Sequence, residues 1–184
     1  PTRLFPKLAN VLAGTYTTSA GEFLPNTAQT LKFRFTARDN KMGGGGVCTA
    51  TTQVTIDGTS GPFAVTSQSV SGITYPSGST QTINWSVNGT NAAPINCANV
   101  DILLSTHAGA TWSTLLAATP NDGTQAVTIP NTPGTTNRIM VKGTNHIFFD
   151  VSNTNFTITS GTSDTTAPTA PTLTASGTTS TTTN

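Results

Sequence analysis

The chain has 184 residues, of which only 8% are charged, and its 8 Lys+Arg and 7 Asp+Glu leave a net charge of +1. This charge is too small for a nucleic-acid binder, and no apolar run approaches the roughly 18 to 20 residues that cross a bilayer. Thr fills 41 positions and Glu occurs once, at Glu22, which favours strands over helices. We therefore expect an all-β protein that binds no nucleic acid and has no membrane span.

The first predicted element is a β-hairpin. Residues 31–38 alternate strictly between apolar and polar side chains, which predicts a strand with one buried face. The face expected to be buried comprises Leu31, Phe33, Phe35 and Ala37. Glycines 43–46 are expected to form the turn, and residues 47–56 alternate as the returning strand. A glycine-rich loop that binds phosphate is followed by a helix, so the strand that follows these glycines argues against a phosphate site. We expect residues 1–58 to form a partial β-sandwich module.

A second module is predicted over residues 59–160, after a cluster of turn-forming residues at 57–62. Its predicted strands cover residues 63–70, 80–87, 99–106, 124–129, 137–142 and 147–159. Short strands at this spacing are typical of an immunoglobulin-like (Ig-like) antiparallel β-sandwich. Trp85 is expected to be buried between its two sheets. The Thr/Pro-rich composition of residues 161–184 predicts a linker.

Side chains for catalysis are scarce, so we expect this chain not to be an enzyme. His107 and His146 lie outside any H-E-x-x-H motif, and no G-x-S-x-G nucleophile elbow is present. A carboxylate pair for glycoside hydrolysis would have to come from Asp101, Asp122 or Asp150, each of which also suits a structural role.

Two loops carry oxygen-rich side chains. Asn121, Asp122 and Gly123 form a signal for a hairpin turn with positive φ angles. The second loop holds the candidates for a calcium site, namely Asp150, Ser152, Asn153 and Asn155. Calcium takes six to eight oxygens, usually with several carboxylates, so capping of a tight bend is the alternative role of these side chains. No other cofactor is expected.

The segment from Ser105 to Trp112 resembles the Asp-box, S-x-D-x-G-x-T-W, a compact turn known from β-propeller blades. His107 stands at the position of the Asp, and Gly109 and Trp112 match the motif. The segment occurs once, whereas a propeller repeats it. We expect a structural turn in which an imidazole nitrogen of His107 accepts a backbone N–H.

Cys48 and Cys97 are the two cysteines, one in each predicted module. A disulfide between them would link the modules in an exported protein, and two separately buried thiols are the alternative. Thr165 follows Asp164 in a pattern on which some secreted bacterial proteins carry O-glycans.

Several stretches together resemble the accessory modules that follow the catalytic domain in secreted bacterial reprolysin-like zinc metalloproteases. The matching stretches are residues 31–40 with the glycines after them, 61–67, 78–85, 99–105, 120–123 and 148–153. Residues 164–177 resemble the linker and first strand of a truncated fibronectin type III domain. The family's zinc-binding helix has no counterpart here, so no catalytic residue is carried over.

The resemblance implies a non-catalytic binding or spacer region of a secreted or cell-surface protein, often exported by the type IX route. It implies neighbouring domains of the same chain as partners, with protein substrate or cell-surface components as further candidates. Because the chain starts at Pro1 without a signal sequence, we expect it to be part of a longer protein. One alternative is a structural subunit or repeat of an extracellular adhesin or filament, joined by strand addition. The other is a carbohydrate-binding module that uses Tyr75 and Trp112 as exposed aromatics.

Overall fold

A computed structural model describes residues 4–15, 21–22 and 24–161, and within them the chain is almost entirely β-structure, which confirms the expected fold class. The elements are α1 Leu8–Leu12, β1 Gln29–Arg38, β2 Val47–Ile56, β3 Ala64–Val65, β4 Thr74–Pro76, β5 Thr80–Ser86, β6 Asn99–Ser105, β7 Ser113–Pro120, β8 Thr124–Thr128, β9 Gly134–Gly143, β10 Phe149–Val151 and β11 Phe156–Thr159. The predicted linker, the fibronectin-like strand and Thr165 lie outside the described residues, except for Gly161 at the start of the linker.

Strands β3 to β11 form a sandwich of two sheets. The larger sheet has the order β4-β11-β9-β6-β7, with β10 also paired to β9, and the smaller has the order β3-β5-β8. All pairs are antiparallel except β4 with β11, which lie parallel at the edge of the larger sheet. Consecutive strands change sheet between β5 and β6 and between β7 and β8, as in an Ig-like sandwich.

Alternating residues of both sheets form the core between them. The buried hydrophobic residues of this cluster are Val65, Ile83, Trp85, Val100, Ile102, Leu104, Val127, Ile129, Ile139, Val141, Phe156 and Ile158. Trp85 is 4% exposed, so its predicted burial is confirmed. Each fully buried aliphatic or aromatic side chain of this kind contributes about 1.5 to 3 kcal/mol through removal of apolar surface from water.

Four parts of the sandwich differ from the strands expected from the sequence. The strand expected at 63–70 comprises only β3, Ala64–Val65, and β4, Thr74–Pro76, lies where no strand is predicted. The single strand expected at 147–159 is two strands, β10 and β11, because the chain bends between Val151 and Phe156. Strand β7 was not expected at all. Its adjacent leucines, Leu115 and Leu116, break the alternation, and Ala118 has φ 52°, where the pairing with β6 shifts register.

The outer face of the larger sheet is covered by the short helix α1. Val11 of this helix packs against Met140 and Val151, with Trp112 and Leu12 at the margin of the same cluster. No sequence pattern predicts this helix, because five residues are too few for a helical period. The amino-terminal segment thus contacts the sandwich, although it precedes the hairpin in the chain. The module boundaries expected from the sequence stay a prediction.

Strands β1 and β2 form the expected hairpin, with a continuous antiparallel register from Gln29 opposite Ile56 to Arg38 opposite Val47. The expectation that its apolar face is buried is wrong for the described residues. Phe35 is 72% exposed, and only Leu31 and Phe33 on that face of β1 are partly buried. Phe5 contacts Phe33 edge-on, at a centroid distance of 5.3 Å, and covers one end of the face.

Candidate functional site

The junction between the hairpin and the sandwich is held by the side chain of Asp57. Its carboxylate accepts hydrogen bonds from the Thr59 N–H at 3.2 Å, from Thr59 Oγ1 at 2.9 Å and from the Ser60 N–H at 2.8 Å. Hydrogen bonds from Ser60 and Thr59 hold the pKa of Asp57 below its ordinary value. Gly58 lies so close to Ala28 that an added Cβ would come within 2.9 Å of the Ala28 nitrogen. The junction is therefore a tightly packed turn.

The same junction is bonded to one end of the sandwich, which we call the entry end. The Gly61 N–H donates to the Asn88 carbonyl at 2.8 Å, and Asn88 Nδ2 donates to the Pro62 carbonyl at 2.5 Å. Asn88 lies just beyond the last residue of β5. Phe63 packs edge-on against Phe148, with 5.0 Å between ring centroids. Polar and aromatic contacts together fix the point at which the chain enters the sandwich.

The chain leaves the sandwich at the opposite end, the exit end. The Gly161 N–H donates to Ser77 Oγ at 2.5 Å, and the Ser77 N–H donates to the Thr159 carbonyl at 2.9 Å. Ser77 precedes the first residue of β5, whereas Asn88 follows the last one. The seven residues of β5 span about 23 Å. The two attachment points of the sandwich are therefore separated by the length of its central strand.

A buried polar network lies near the entry end, centred on Asn121, which is 3% exposed. Asn121 Oδ1 accepts a hydrogen bond from Trp85 Nε1 at 2.9 Å. Its Nδ2 donates to Thr90 Oγ1 at 3.1 Å and to the Cys97 carbonyl at 3.0 Å. One amide side chain thus joins β5 to the loop between β5 and β6, and its burial is offset by these bonds.

The expectation of a hairpin turn at Asn121, Asp122 and Gly123 is wrong. This segment joins β7 of the larger sheet to β8 of the smaller sheet, so it links two layers. Of the three residues, Gly123 has a positive φ, 99°, and it approaches the Trp85 carbonyl closely. Asp122 Oδ1 accepts from the Thr124 N–H at 3.2 Å. The sequence signal identified the turn but not the buried role of its Asn.

The turn from Ser105 to Trp112 is tethered by a different residue from the one expected. Ser105 Oγ accepts hydrogen bonds from the backbone N–H of His107 at 3.2 Å and of Gly109 at 2.8 Å. His107 Nδ1 instead lies 3.1 Å from the hydroxyl of Thr111. The imidazole was expected to accept a backbone N–H of this turn, but the Ser105 hydroxyl is the acceptor. Gly109 packs against Leu12 of α1, where an added Cβ would come within 2.5 Å.

Most of the calcium candidates are engaged by protein donors. Asp150 Oδ2 accepts from the Val65 N–H at 2.7 Å, which ties β10 to the smaller sheet. Ser152 is fully buried, and its Oγ accepts from the Ile139 N–H at 3.1 Å. Asn155 lies at the same bend, and Asn153 is exposed. These contacts join the bend to β9 and β3, and capping of the bend by Ser152, Asn153 and Asn155 stays a prediction.

Arg138 is the cation at this bend. Its Nε donates to Asn155 Oδ1 and its Nη1 donates to the Ser152 carbonyl, both at 2.6 Å. Nη1 also lies 3.4 Å from the Leu12 carbonyl of α1. Burial lowers the pKa of Arg138. A calcium ion bound through Asn155 would have to displace this guanidinium.

The two cysteines are not bonded to each other in this structure. Cys48 is exposed on β2, and Cys97 is buried. The Cys97 thiol donates to the Asn99 carbonyl at 3.1 Å, and burial raises the pKa of Cys97. The structure therefore corresponds to the alternative of separate thiols, with the difference that Cys48 is not buried.

The remaining titratable candidates also hold loops together. Asp101 Oδ1 accepts from the Ala118 N–H at 2.9 Å and from Thr144 Oγ1 at 2.8 Å. His146 lies between two backbone carbonyls, with Nδ1 2.9 Å from that of Thr144 and Nε2 3.1 Å from that of Ile95. Both residues join the β9–β10 turn to other parts of the larger sheet and its loops.

Neither aromatic side chain considered for sugar binding is exposed. Tyr75 packs against the main core, 5.6 Å from the ring of Phe156, and its hydroxyl accepts from Gln68 Nε2 at 3.0 Å. Trp112 is half-buried in the cluster under α1. Both rings therefore serve packing in this structure.

Among the described residues, no three His, Cys, Asp or Glu side chains are grouped so as to hold a metal ion. None of the helical structure in that part of the chain is long and apolar enough to span a membrane. Comparisons with protein-family models and with curated proteins found no match to the chain.

Proposed function

We propose that this chain is a non-catalytic accessory region of a secreted bacterial metalloprotease, in which the sandwich acts as a spacer and binding module between neighbouring domains. The observation that carries the proposal is the separation of its two attachment points. The chain enters beside Asn88 and leaves beside Ser77, at opposite ends of β5. A module attached in this way separates the hairpin from the domain that follows by about 23 Å or more, the length of β5, while α1 packs on its larger sheet.

The hydrogen bonds at both ends support a stiff spacer. At the entry end, Asp57 and Asn88 fix the junction through side-chain bonds. At the exit end, Ser77 bonds to the segment that follows β11. Short, bonded connections transmit the orientation of one domain to the next, in contrast to flexible polar linkers. The resemblance to metalloprotease accessory modules supplies the proposed setting, including export from the cell.

The use of the titratable side chains agrees with a non-catalytic role. Asp101 Oδ1 accepts from the Ala118 N–H and Asp150 Oδ2 accepts from the Val65 N–H, so both carboxylates hold backbone groups in place. A general acid or base needs a side chain aimed at a site where a substrate can bind. These two carboxylates are directed at strands β7 and β3 of their own module.

Two experiments test this proposal. Incubation of the chain with casein or gelatin, with inhibitors of contaminating proteases, is expected to give no cleavage, and robust cleavage would overturn it. The spacer is tested by spin labels at Thr55→Cys on the hairpin and Ser160→Cys beyond β11, in a Cys48→Ser background at low micromolar concentration, so that the measured distance crosses the junction at Asp57. We expect a narrow distance distribution centred beyond about 23 Å, the length of β5. A broad distribution that reaches short distances would contradict a stiff spacer.

A subunit of an extracellular adhesin or filament is the second candidate, and the hairpin favours it. Neither β1 nor β2 has a further strand partner among the described residues. Such edges accept strands from other chains. A filament requires head-to-tail contacts that do not close, so electron microscopy of concentrated protein should show fibres if this candidate is correct.

A further inference from the structure

The hairpin has two outer edges, and the backbone groups along them are identified by the pairing of its strands. The Asp39 N–H donates to the Gly46 carbonyl at 3.3 Å, which makes this a hydrogen-bonded pair next to the turn. Hydrogen-bonded and non-hydrogen-bonded pairs alternate along an antiparallel ladder. The even-numbered residues of β2 therefore bond to β1, and the odd-numbered residues direct their backbone groups outward. On β1 the even-numbered residues direct their backbone groups outward, and the odd-numbered residues bond to β2.

The two outer edges differ in charge. The outward residues of β1 are Thr30, Lys32, Arg34, Thr36 and Arg38, three of which are cations. The outward residues of β2 are Val47, Thr49, Thr51, Gln53 and Thr55, none of which is charged. Charged side chains on an edge strand oppose pairing with another copy of that strand. Pairing of two copies through β1 would bring these cations together, whereas pairing through β2 brings no charged side chains together.

We propose that β2 pairs antiparallel with β2 of a second copy of this chain, about a two-fold axis at Thr51. In this register Thr51 lies opposite its own copy, Thr49 opposite Gln53, and Val47 opposite Thr55. Every outward residue then forms a hydrogen-bonded pair, giving about ten backbone bonds. The inference is independent of the spacer function, and a dimer that closes in this way counts against the filament candidate.

The same register places the apolar faces of the two hairpins on one side of the joined sheet. Residues opposite each other in an antiparallel pair point to the same face. Cys48 therefore lies opposite Val54, and Ala50 opposite Thr52, all on the face that also carries Phe35. A two-stranded sheet is marginally stable alone, and the joined sheet has four strands.

Edge pairing is favoured over stacking of the two apolar faces because the faces are small. A ten-residue hairpin is roughly 34 Å long and about 10 Å wide, or about 340 Å² per copy. A standard interface buries about 800 Å² per partner, and stacking would reach less than half of that without adding any backbone hydrogen bond, whereas edge pairing adds about ten. After edge pairing, the outer strands are the two copies of β1 with their cations, so the assembly closes as a dimer.

The first test is sedimentation of the full chain from about 1 µM to about 1 mM, with two matched proline variants. Thr51→Pro removes an outward N–H on the β2 edge, and Thr36→Pro removes one on the β1 edge, so neither loses a bond between the strands. We expect wild type and Thr36→Pro to dimerise, and Thr51→Pro to weaken the dimer at least about tenfold. Monomers throughout, or a dimer weakened equally by both variants, would overturn the proposal.

The second test keeps the proposal falsifiable if Thr51→Pro fails to fold. In a Cys48→Ser background, Thr51→Cys places two thiols opposite each other across the axis, with Cα atoms about 5.5 Å apart, within the range of a disulfide. Mild oxidation should give a covalent dimer, with far less from the matched Thr36→Cys variant. Equal cross-linking of the two variants would contradict the β2 edge as the interface.

Discussion

The hairpin and the sandwich both contain strands in which apolar and polar residues alternate, yet they bury their side chains very differently. In β5 the alternate residues Ile83 and Trp85 are 0% and 4% exposed. In β1 the equally regular alternation leaves Phe35 72% exposed. The sandwich has a second sheet 10 Å or so away to receive its apolar face, as sheet packing requires. Alternation therefore determines which residues share a face, and a second layer determines whether that face is buried.

The largest expected effect comes from comparing one Phe in each region. Phe156 is 1% exposed between the sheets, so Phe156→Ala should lower the free energy of unfolding by about 3 to 5 kcal/mol. Phe35→Ala makes the same chemical change on the hairpin and should cost less than about 0.5 kcal/mol. Urea unfolding of both variants measures the difference. Similar losses would show that a second layer covers the hairpin face.

Removal of the buried amide at the entry end should have the next largest effect. Asn121→Ala leaves Trp85 Nε1 and the Cys97 carbonyl without their partner, and we expect a loss of about 2 to 4 kcal/mol. Asp122→Ala is the neighbouring control, since Asp122 is exposed and accepts one bond at the same turn. If the two variants unfold at the same urea concentration, the network contributes nothing specific.

The turn over α1 allows a smaller comparison between two candidate tethers. Ser105→Ala removes the acceptor of two backbone N–H groups, and we expect a loss of about 1 to 2 kcal/mol. His107→Ala should change the free energy of unfolding by less than about 0.5 kcal/mol. Thermal unfolding of the pair measures this order. A larger loss of stability for His107→Ala than for Ser105→Ala would show that the imidazole is the tether of this turn.

The smallest expected effect is the pH dependence of the hairpin loop. The carboxylate of Asp39 accepts from the N–H groups of Gly46 at 3.0 Å and Lys41 at 3.1 Å, and these bonds lower the pKa of Asp39. Because the folded-state pKa is lowered, the loop is stabilised above the ordinary pKa of Asp and loses this stabilisation as the pH falls below about 4.

Amide chemical shifts of Gly46 and Lys41, followed by NMR from about pH 6 to pH 2.5, measure this change around the carboxyl pKa. We expect both shifts to move together in the wild type. The Asp39→Asn variant provides the baseline, because it cannot titrate. Identical profiles in the two proteins would show that the carboxylate does not hold the loop.

The contrast between the regions also explains which features the sequence could predict. The hairpin and most sandwich strands follow from alternation at period two, and so does the buried face around Trp85. Strand β7 lacks that alternation, and it pairs with β6 through a register that shifts twice. Its position depends on contacts with a neighbouring strand, which no local pattern records.

Roles of polar side chains were harder to predict than strands. The pattern of Asn121 to Gly123 indicated a turn, but the burial of Asn121 depends on Trp85 and Cys97, 36 and 24 residues away. The Asp-box pattern points to His107, which occupies the Asp position of the motif, and not to Ser105. A hydroxyl two residues earlier reaches the same N–H groups. Arg138 gave no signal, since its oxygen partners come from a bend 14 to 17 residues later.

Hydrogen exchange of the full chain tests the contrast between the regions most directly. At low micromolar concentration, we expect the amides of β5, β6 and β9 to exchange only through global unfolding. The outward amides of Thr49, Thr51 and Gln53 should exchange much faster, and should become protected as the concentration rises. Protection of the whole hairpin equal to that of the sandwich at low concentration would contradict the account.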